Sequence, residues 1–189
     1  KSWLRLVVML LDKGADVNKA NIDGWTPLSV SCRKGNLEVA RLLLDKGADV
    51  NEANNYGWSP LIFSCYKGNL ELAQLLLDKG ADINKANNVG RTPLYFGCYH
   101  ENLELTRLLL EQGADVNKAD NDGYTSLLVS CINGNLELAR LLLSRGAKDN
   151  ATARSSLKLT QRATLYGYHQ LSAWLTARVG WHPMQYSCE

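Results

Sequence analysis

The sequence predicts an all-α solenoid, that is, a stack of similar helix–turn–helix units, and its periodicity carries this prediction. Two residue types recur at intervals of 33 residues, glycine at Gly24, Gly57, Gly90 and Gly123 and cysteine at Cys32, Cys65, Cys98 and Cys131. A fixed period of about 20 to 50 residues is typical of stacked repeats, in which each unit contacts only its neighbours. The 189 residues are therefore expected to form a single domain of about five units.

The pattern divides the chain into units of unequal completeness. Residues 4–14 match the second half of the later units, so residues 1–19 are expected to be a partial unit and the chain a fragment of a longer protein. Complete units are predicted at about 20–52, 53–85, 86–118 and 119–151. A degenerate capping unit follows at 152–179, with a second helix at about 168–177. Residues 180–189 repeat the order Gly-Trp-x-Pro and are expected to begin a further degenerate unit.

Each complete unit is expected to begin with a short helix. In the first one, Thr26 can cap the helix amino terminus, and Pro27 suits the first helical position because no intrahelical acceptor is available there for an N–H group. Leu28, Ser31 and Cys32 then share one helical face. The pattern predicts a helix over about residues 27–34, ended by Gly35.

A second helix and a long loop complete the unit. Asn36 is a good N-cap, Glu38 lies in the first turn where negative charge suits the helix dipole, and leucines follow at helical spacing up to about Lys46. Gly47 caps the carboxyl end, and residues 48–57 are rich in Asn and Gly, which predicts a hairpin-like turn that reaches the next unit. Asn51, Asn84 and Asn117 in these loops are expected to have a structural role.

These motifs resemble the ankyrin repeat, whose period is 33 residues. Its Thr-Pro-Leu motif corresponds to residues 26–28, 59–61, 92–94 and 125–127, and the Gly-Ala-Asp-Val-Asn loop motif begins at Gly14, Gly47, Gly80 and Gly113. The resemblance covers about residues 1–150. Two departures stand out: the family's His is replaced by Ser29, Ile62, Tyr95 and Leu128, and Glu101 replaces a glycine between helices, where it should strain the turn.

The resemblance implies that a partner binds on the concave side of the stack, at the loop tips and at the residue after each periodic glycine. Trp, Tyr and Arg dominate binding hot spots because they bury a large area and keep a polar group. We therefore expect a partner-binding surface with the following residues: Trp25, Arg33, Tyr56, Trp58, Tyr66, Arg91, Tyr95, Tyr99 and Tyr124. The alternative is that the rings after the glycines only cover the helix caps of the adjacent unit.

The short helix also gives expectations about which positions are exposed. Because Leu28 and Cys32 face the stack, the position of Ser29, Ile62, Tyr95 and Leu128 is expected to point away from it. The next position, Val30, Phe63, Phe96 and Val129, is apolar and is expected in the core.

The sequence favours neither catalysis nor a bound cofactor or metal. His100, His169 and His182 have no nucleophile or carboxylate at a spacing typical of hydrolases, and the cysteines lack Cys-x-x-Cys spacing. Stacked helices lie about 8 to 10 Å apart, too far for disulfides between equivalent cysteines. We expect buried thiols, and hence a reducing intracellular location in the cytoplasm or nucleus.

Charge and hydropathy narrow the function further. The net charge of +2 arises from interspersed basic and acidic residues, so nucleic acid is not expected as a partner, and no apolar run is long enough to cross a bilayer. The expected function is a monomeric module that binds a protein or peptide. Two alternatives remain: a methyl-lysine reader with Tyr56, Trp58 and Tyr66 as an aromatic cage, and a targeting or regulatory arm of a larger enzyme.

Overall fold

Short helices in two layers make up the protein. The computed structural model describes residues 2–149 and 159–179. Within these ranges the helices are α1 (Ser2–Asp12), α2 (Pro27–Lys34), α3 (Leu37–Asp45), α4 (Pro60–Tyr66), α5 (Leu70–Asp78), α6 (Pro93–Tyr99), α7 (Leu103–Glu111), α8 (Ser126–Ile132), α9 (Leu136–Ser144), α10 (Leu159–Leu165) and α11 (His169–Val179). The described residues contain no strand, only an isolated bridge between Ala119 and Thr125, so the all-α prediction is confirmed for them.

The first helix of each unit is fixed by its local sequence. The Thr26 hydroxyl accepts a hydrogen bond from the Ser29 N–H at 3.1 Å, and α2 begins at Pro27 as predicted. Gly35 closes the helix in the left-handed conformation at φ 72°. The corresponding caps in the following units are Ser59, Thr92 and Thr125. A side-chain cap of this kind contributes about 1 kcal/mol to helix stability.

The second helix follows after a single turn. The Asn36 side-chain carbonyl accepts a hydrogen bond from the Val39 N–H at 3.2 Å, which confirms the predicted cap. The helix ends at Asp45, one residue before the predicted end. Asn69, Asn102 and Asn135 act in the same way in the later units.

The helices stack in two layers that share one apolar core. We call α2, α4, α6, α8 and α10 the inner helices, because each packs against the next along the stack, and α1, α3, α5, α7, α9 and α11 the outer helices. Leucines from both layers are buried completely between them, for example Leu61 of α4 and Leu72 of α5. Burial of one such side chain contributes about 2 kcal/mol. The stability of the stack is thus distributed over all its units.

Asparagines in the loops connect each unit to the next. The Asn51 Oδ1 accepts a hydrogen bond from the Asp82 N–H at 2.7 Å, and its Nδ2 donates to the Gly80 carbonyl at 3.3 Å. Side-chain carbonyls of Asn18, Asn84 and Asn117 accept in the same way from the residue 31 positions ahead. The expected structural role of the loop asparagines is confirmed, since they satisfy backbone groups that would otherwise lack partners.

Two turn positions have left-handed backbone for different reasons. Gly57 has φ 75°, and a Cβ there would lie 2.7 Å from the Asn88 backbone nitrogen, so close approach of the next hairpin requires glycine. Glu101 has φ 56° between α6 and α7, where the other units have glycine. The expected strain at Glu101 is confirmed, and its carboxylate accepts a hydrogen bond from the Asn135 side chain at 3.0 Å.

The stack continues beyond the complete units. Helix α10 packs on α8, and α11 packs on α10. Helix α11 spans His169–Val179, close to the predicted 168–177. The predicted further unit at 180–189 lies outside the described residues, as does the connection at 150–158.

Candidate binding surface on the inner helices

Aromatic rings from successive units touch one another along the inner helices. Trp25 stacks on Phe63 with centroids 4.7 Å apart, Trp58 stacks on the same Phe63 at 5.0 Å, and Trp58 also meets Phe96 at 5.1 Å. We call Trp25, Phe63, Trp58 and Phe96 the aromatic row. Each aromatic pair of this geometry contributes about 0.5 to 1.5 kcal/mol beyond simple burial. The row therefore binds neighbouring units together.

The row is assembled from two positions of the repeat. Trp25 and Trp58 follow the periodic glycines in the hairpins, and Phe63 and Phe96 lie near the middle of α4 and α6. Stacking of the units brings a Trp from one hairpin beside the Phe of the next helix. Both tryptophans are half-buried, and these ring contacts are with the middle of the inner helices, whereas the alternative expectation placed them over the helix caps of the adjacent unit.

Tyrosines extend the row into solvent. The Tyr66 ring meets Trp58 edge-on at 5.3 Å and His100 at 4.9 Å, while 39% of Tyr66 remains exposed. Tyr99 lies 5.1 Å from His100 and is 50% exposed. We call the exposed sides of α2, α4, α6 and α8, together with the hairpins that precede them, the inner surface. It offers aromatic side chains that are held by neighbours and still accessible.

Cations lie over several of these rings. The Arg33 guanidinium is 4.8 Å from the centroid of Trp25, and the Lys67 ammonium is 5.4 Å from that of Tyr66. Such cation–π contacts contribute about 0.5 to 1 kcal/mol at exposed sites. Burial and the nearby Lys67 charge both lower the pKa of His100. The first half of the inner surface is thus both aromatic and basic.

Arg91 forms a different kind of contact. Its guanidinium lies 4.8 Å above the Tyr95 ring, and its Nε donates to Asp120 at 3.3 Å. The Asp120 carboxylate is buried and also accepts hydrogen bonds from the N–H groups of Asp122 and Tyr124. Asn54 and Asn87 occupy the position of Asp120 in earlier units. The carboxylate thus occurs beside the unit in which Arg91 replaces the Trp of the first two complete units. The charge of Arg91 is used within the protein.

The structure brings most of the predicted surface together and corrects one position. Trp25, Trp58, Arg91 and Tyr124 are half-buried on the hairpins, and the exposed members are Arg33, Tyr56, Tyr66 and Tyr99. Tyr95 is only 7% exposed, so it offers a partner almost no area.

The expectation that the Tyr95 position points away from the stack is wrong. Ser29, Ile62 and Leu128 are buried as well. Ile62, Tyr95 and Leu128 are covered because α4, α6 and α8 each pack between two inner helices and against an outer helix.

The adjacent apolar position follows the prediction in three of its four members. Phe63, Phe96 and Val129 are buried as expected, whereas Val30 is 43% exposed. Phe63, at the equivalent position, is covered on one side by Trp25 of the preceding unit. Among the described residues no inner helix precedes α2, so the corresponding side of Val30 remains open. A hollow of about 650 Å³ adjoins it, lined by Val7, Trp25 and Lys34 among others.

Sequence reasoning assigned Phe63 and Phe96 to the core and missed their part in the aromatic row. The available signal was that Phe63 follows Trp58 by five residues and that Phe recurs one period later at Phe96. This spacing places the Trp58 and Phe63 rings close together within one unit. His100 contacts its sequence neighbour Tyr99 and also Tyr66, and the contact with Tyr66 depends on the stacking of the preceding unit.

Two of the three residues suggested for an aromatic cage, Trp58 and Tyr66, already contact other side chains. Trp58 contacts Phe63 and Phe96, and Tyr66 meets Trp58 edge-on with the Lys67 ammonium above its own ring. Tyr56 is 61% exposed at the hairpin tip. A trimethylammonium group would need ring faces that these contacts already use.

The inner helices also carry buried thiols. Burial raises the pKa of Cys32 and Cys131 to about 12 and that of Cys98 to about 11, and it raises the pKa of Cys65 as well. The four are free cysteines, which confirms the prediction of small buried thiols for these positions. Their ionised, reactive form is suppressed.

Metal-binding clusters and membrane-spanning helices are absent from residues 2–149 and 159–179. No group of three or more His, Cys, Asp or Glu side chains there could hold a metal ion. No helix in the same ranges has the length and apolar character needed to cross a membrane.

Comparison with known proteins gives a clear family match. A family model described as ankyrin repeats (3 copies) matches residues 3–87 and 84–153, which is more than half of the chain. A search of curated proteins found no match. The matched residues include every hairpin and inner helix from α2 to α8.

Proposed function

Because the chain belongs to the ankyrin repeat family, whose members are generally protein–protein interaction modules, we propose that it binds a protein partner through its inner surface. The exposed tyrosines beside the aromatic row carry this proposal. Tyr66 and Tyr99 project from consecutive inner helices and are 39% and 50% exposed. Large aromatic side chains with limited freedom are the residues that contribute most to protein interfaces.

The packing around these tyrosines supports docking of a preformed surface. Tyr66 touches Trp58, Phe96 and His100, and Tyr99 touches Tyr95 and His100. Neighbours on several sides restrict the rotamers of each ring. Less side-chain entropy is therefore lost when a partner binds, and more of the buried area contributes to affinity.

The remaining members of the proposed surface have graded roles. Tyr56, at the hairpin tip, and Arg33, on α2, extend the contact area. Trp58 supports the exposed Tyr66 ring, while Trp25 and Tyr124 pack against the core. We place the protein in a reducing compartment, cytoplasmic or nuclear, because the described cysteines are unpaired thiols, and we propose that it acts as a monomer.

Paired variants test the proposal. Tyr66→Ala with Tyr99→Ala removes the exposed rings, and Leu70→Ala, at a 40% exposed position on the first turn of outer helix α5, is the matched control. Each tyrosine is expected to contribute about 1 to 2 kcal/mol, so the double variant should lose most of its affinity. The measurement is affinity capture followed by mass spectrometry, with circular dichroism as the check on folding.

The outcomes separate the inner surface from the rest of the molecule. Proteins retained by the wild type and by Leu70→Ala but lost by the tyrosine variant would support the proposal. The same proteins retained equally by all three would contradict it.

A further inference from the structure

The inner helices carry no carboxylate in the repeats where the aromatic row lies. Helices α2, α4, α6 and α8 contain neither Asp nor Glu, whereas the outer helices α3, α5, α7 and α9 each begin with an acidic first turn. The inner helices do carry exposed cations, namely Arg33 and Lys34 at the end of α2 and Lys67 after α4. We call these three residues the basic strip.

The basic strip is available to a partner. Within the part of the chain that the structure describes, no carboxylate forms an ion pair with Arg33, Lys34 or Lys67. Three cations of the outer surface differ in this respect, since Lys46, Lys79 and Arg145 each pair with an acid of the preceding unit. Exposed cations held over aromatic rings keep their charge beside an apolar contact area.

The carboxylates near the inner surface lie at its edges. Asp23 and Asp122 belong to the hairpin tips, and Asp120 is buried against Arg91. Glu101 lies in the turn after α6, where it accepts a hydrogen bond from Asn135. The first half of the surface, at α2 and α4, therefore presents positive charge next to Trp25 and Tyr66.

From this charge distribution we propose that the partner segment bound on the inner surface is an acidic peptide, with carboxylates adjacent to apolar side chains. The inference rests on the proposed function and specifies its partner. The carboxylates would lie against Arg33 and Lys67, and the apolar side chains against Tyr66 and Tyr99. Complementary charge both accelerates encounter and rejects basic partners.

Single-stranded nucleic acid is the other polyanion that stacks on aromatic side chains, and the observations favour a peptide. The strip contains only three cations, and Asp23 lies at the hairpin tip that precedes α2, so a long phosphate backbone would meet few cations and a negative charge beside them. A short acidic segment can place its charges on the strip alone.

Selection from a display library of short random peptides tests the inference. The target proteins are the wild type, the charge-reversed pair Arg33→Glu with Lys67→Glu, and a control pair Arg41→Glu with Arg107→Glu on the outer helices, which changes the net charge equally. Selected peptides are then synthesised with their Glu and Asp residues intact or replaced by Gln and Asn. Their affinities are measured by fluorescence anisotropy, alongside an oligothymidylate of matched length.

The inference is supported if the peptides selected on the wild type are acidic and bind about tenfold more weakly after either the amide replacements or the charge reversal, with the outer control unchanged. The preference should also weaken with added salt. Neutral or basic selected peptides, equal affinity of the amide versions, or tighter binding of the oligothymidylate would overturn it.

One more variant separates this inference from the proposed function. If neutral peptides are selected on the wild type and the Tyr66→Ala, Tyr99→Ala variant does not bind them, docking on the inner surface is supported and the acidic preference is contradicted. If no peptide is enriched on the wild type relative to that variant, both proposals are contradicted.

Discussion

The inner and outer surfaces of this protein are built from the same repeat but differ in the contacts that join consecutive units. On the outer surface, acids and bases alternate, and pairs such as Lys79 with Asp45 join consecutive units at 2.9 Å. On the inner surface, aromatic contacts join the units, and the cations Arg33 and Lys67 lie over rings without a carboxylate partner in the described residues. The two surfaces thus use different contacts between units: ion pairs on the outer surface, and aromatic rings on the inner surface, where a partner is proposed to bind.

The largest expected difference between the inner and outer surfaces is the loss of stability on substituting a glycine in each. A Cβ at Gly57 would lie 2.7 Å from the Asn88 backbone, whereas Gly80, on the outer side, has a similar φ of 85° with nothing within 4 Å. Gly57→Ala combines left-handed strain with a backbone clash and should cost about 3 kcal/mol, against about 1 kcal/mol for Gly80→Ala. Urea unfolding followed by circular dichroism measures both. Equal losses would show that the hairpins can separate without cost.

The second-largest effect is expected at alkaline pH, where folding stability should fall through the inner helices, because the described cysteines lie there. Burial raises the pKa of Cys65, so the folded protein keeps this thiol protonated while the unfolded chain ionises it above a pKa of about 9. The stability that depends on the protonated thiol is present below that pKa and lost as pH rises, by about 1 kcal/mol per thiol at pH 10.

Cys65→Ala should therefore show a shallower decline in unfolding free energy between about pH 8 and pH 10 than the wild type. Leu108→Ala, a half-buried position on outer helix α7, serves as a destabilised control that retains every thiol and the full decline. Parallel curves for Cys65→Ala and the wild type would contradict the assignment.

The smallest effect is expected on the outer surface. Lys79→Ala removes the ion pair with the fully exposed Asp45, and solvent screens such a pair almost completely. The urea midpoint should remain within experimental error of the wild type. A clear decrease would indicate that the outer ion pairs contribute to stacking, and the contrast between the two surfaces would need revision.

Features encoded within one unit could be predicted from the sequence. Thr26 and Asn36 cap their helices, α2 has the predicted bounds, and Glu101 has left-handed backbone, because each depends on residues a few positions away. Capping and turn chemistry act at this short range.

Features that depend on the neighbouring unit could not be predicted in the same way. The burial of Tyr95, the pairing of Arg91 with Asp120 and the insertion of Phe63 between two tryptophans all depend on how a segment about 30 residues away stacks. Helical periodicity shows that a helix has distinct faces, but it does not show how many of them the neighbouring helices cover.

The asparagine bonds between units also have an evolutionary consequence. Asn51 bonds to Asp82, and Asn84 bonds to Asp115 in the same geometry. Loss of residues 53–85 would place Asn51 opposite Asp115. The array could therefore lose or gain one 33-residue unit and keep the asparagine hydrogen bond between the units that become neighbours. The same event would remove Trp58, Tyr66 and Lys67 together. A change in copy number would then alter the proposed binding surface in a single step while the bonds between units are kept.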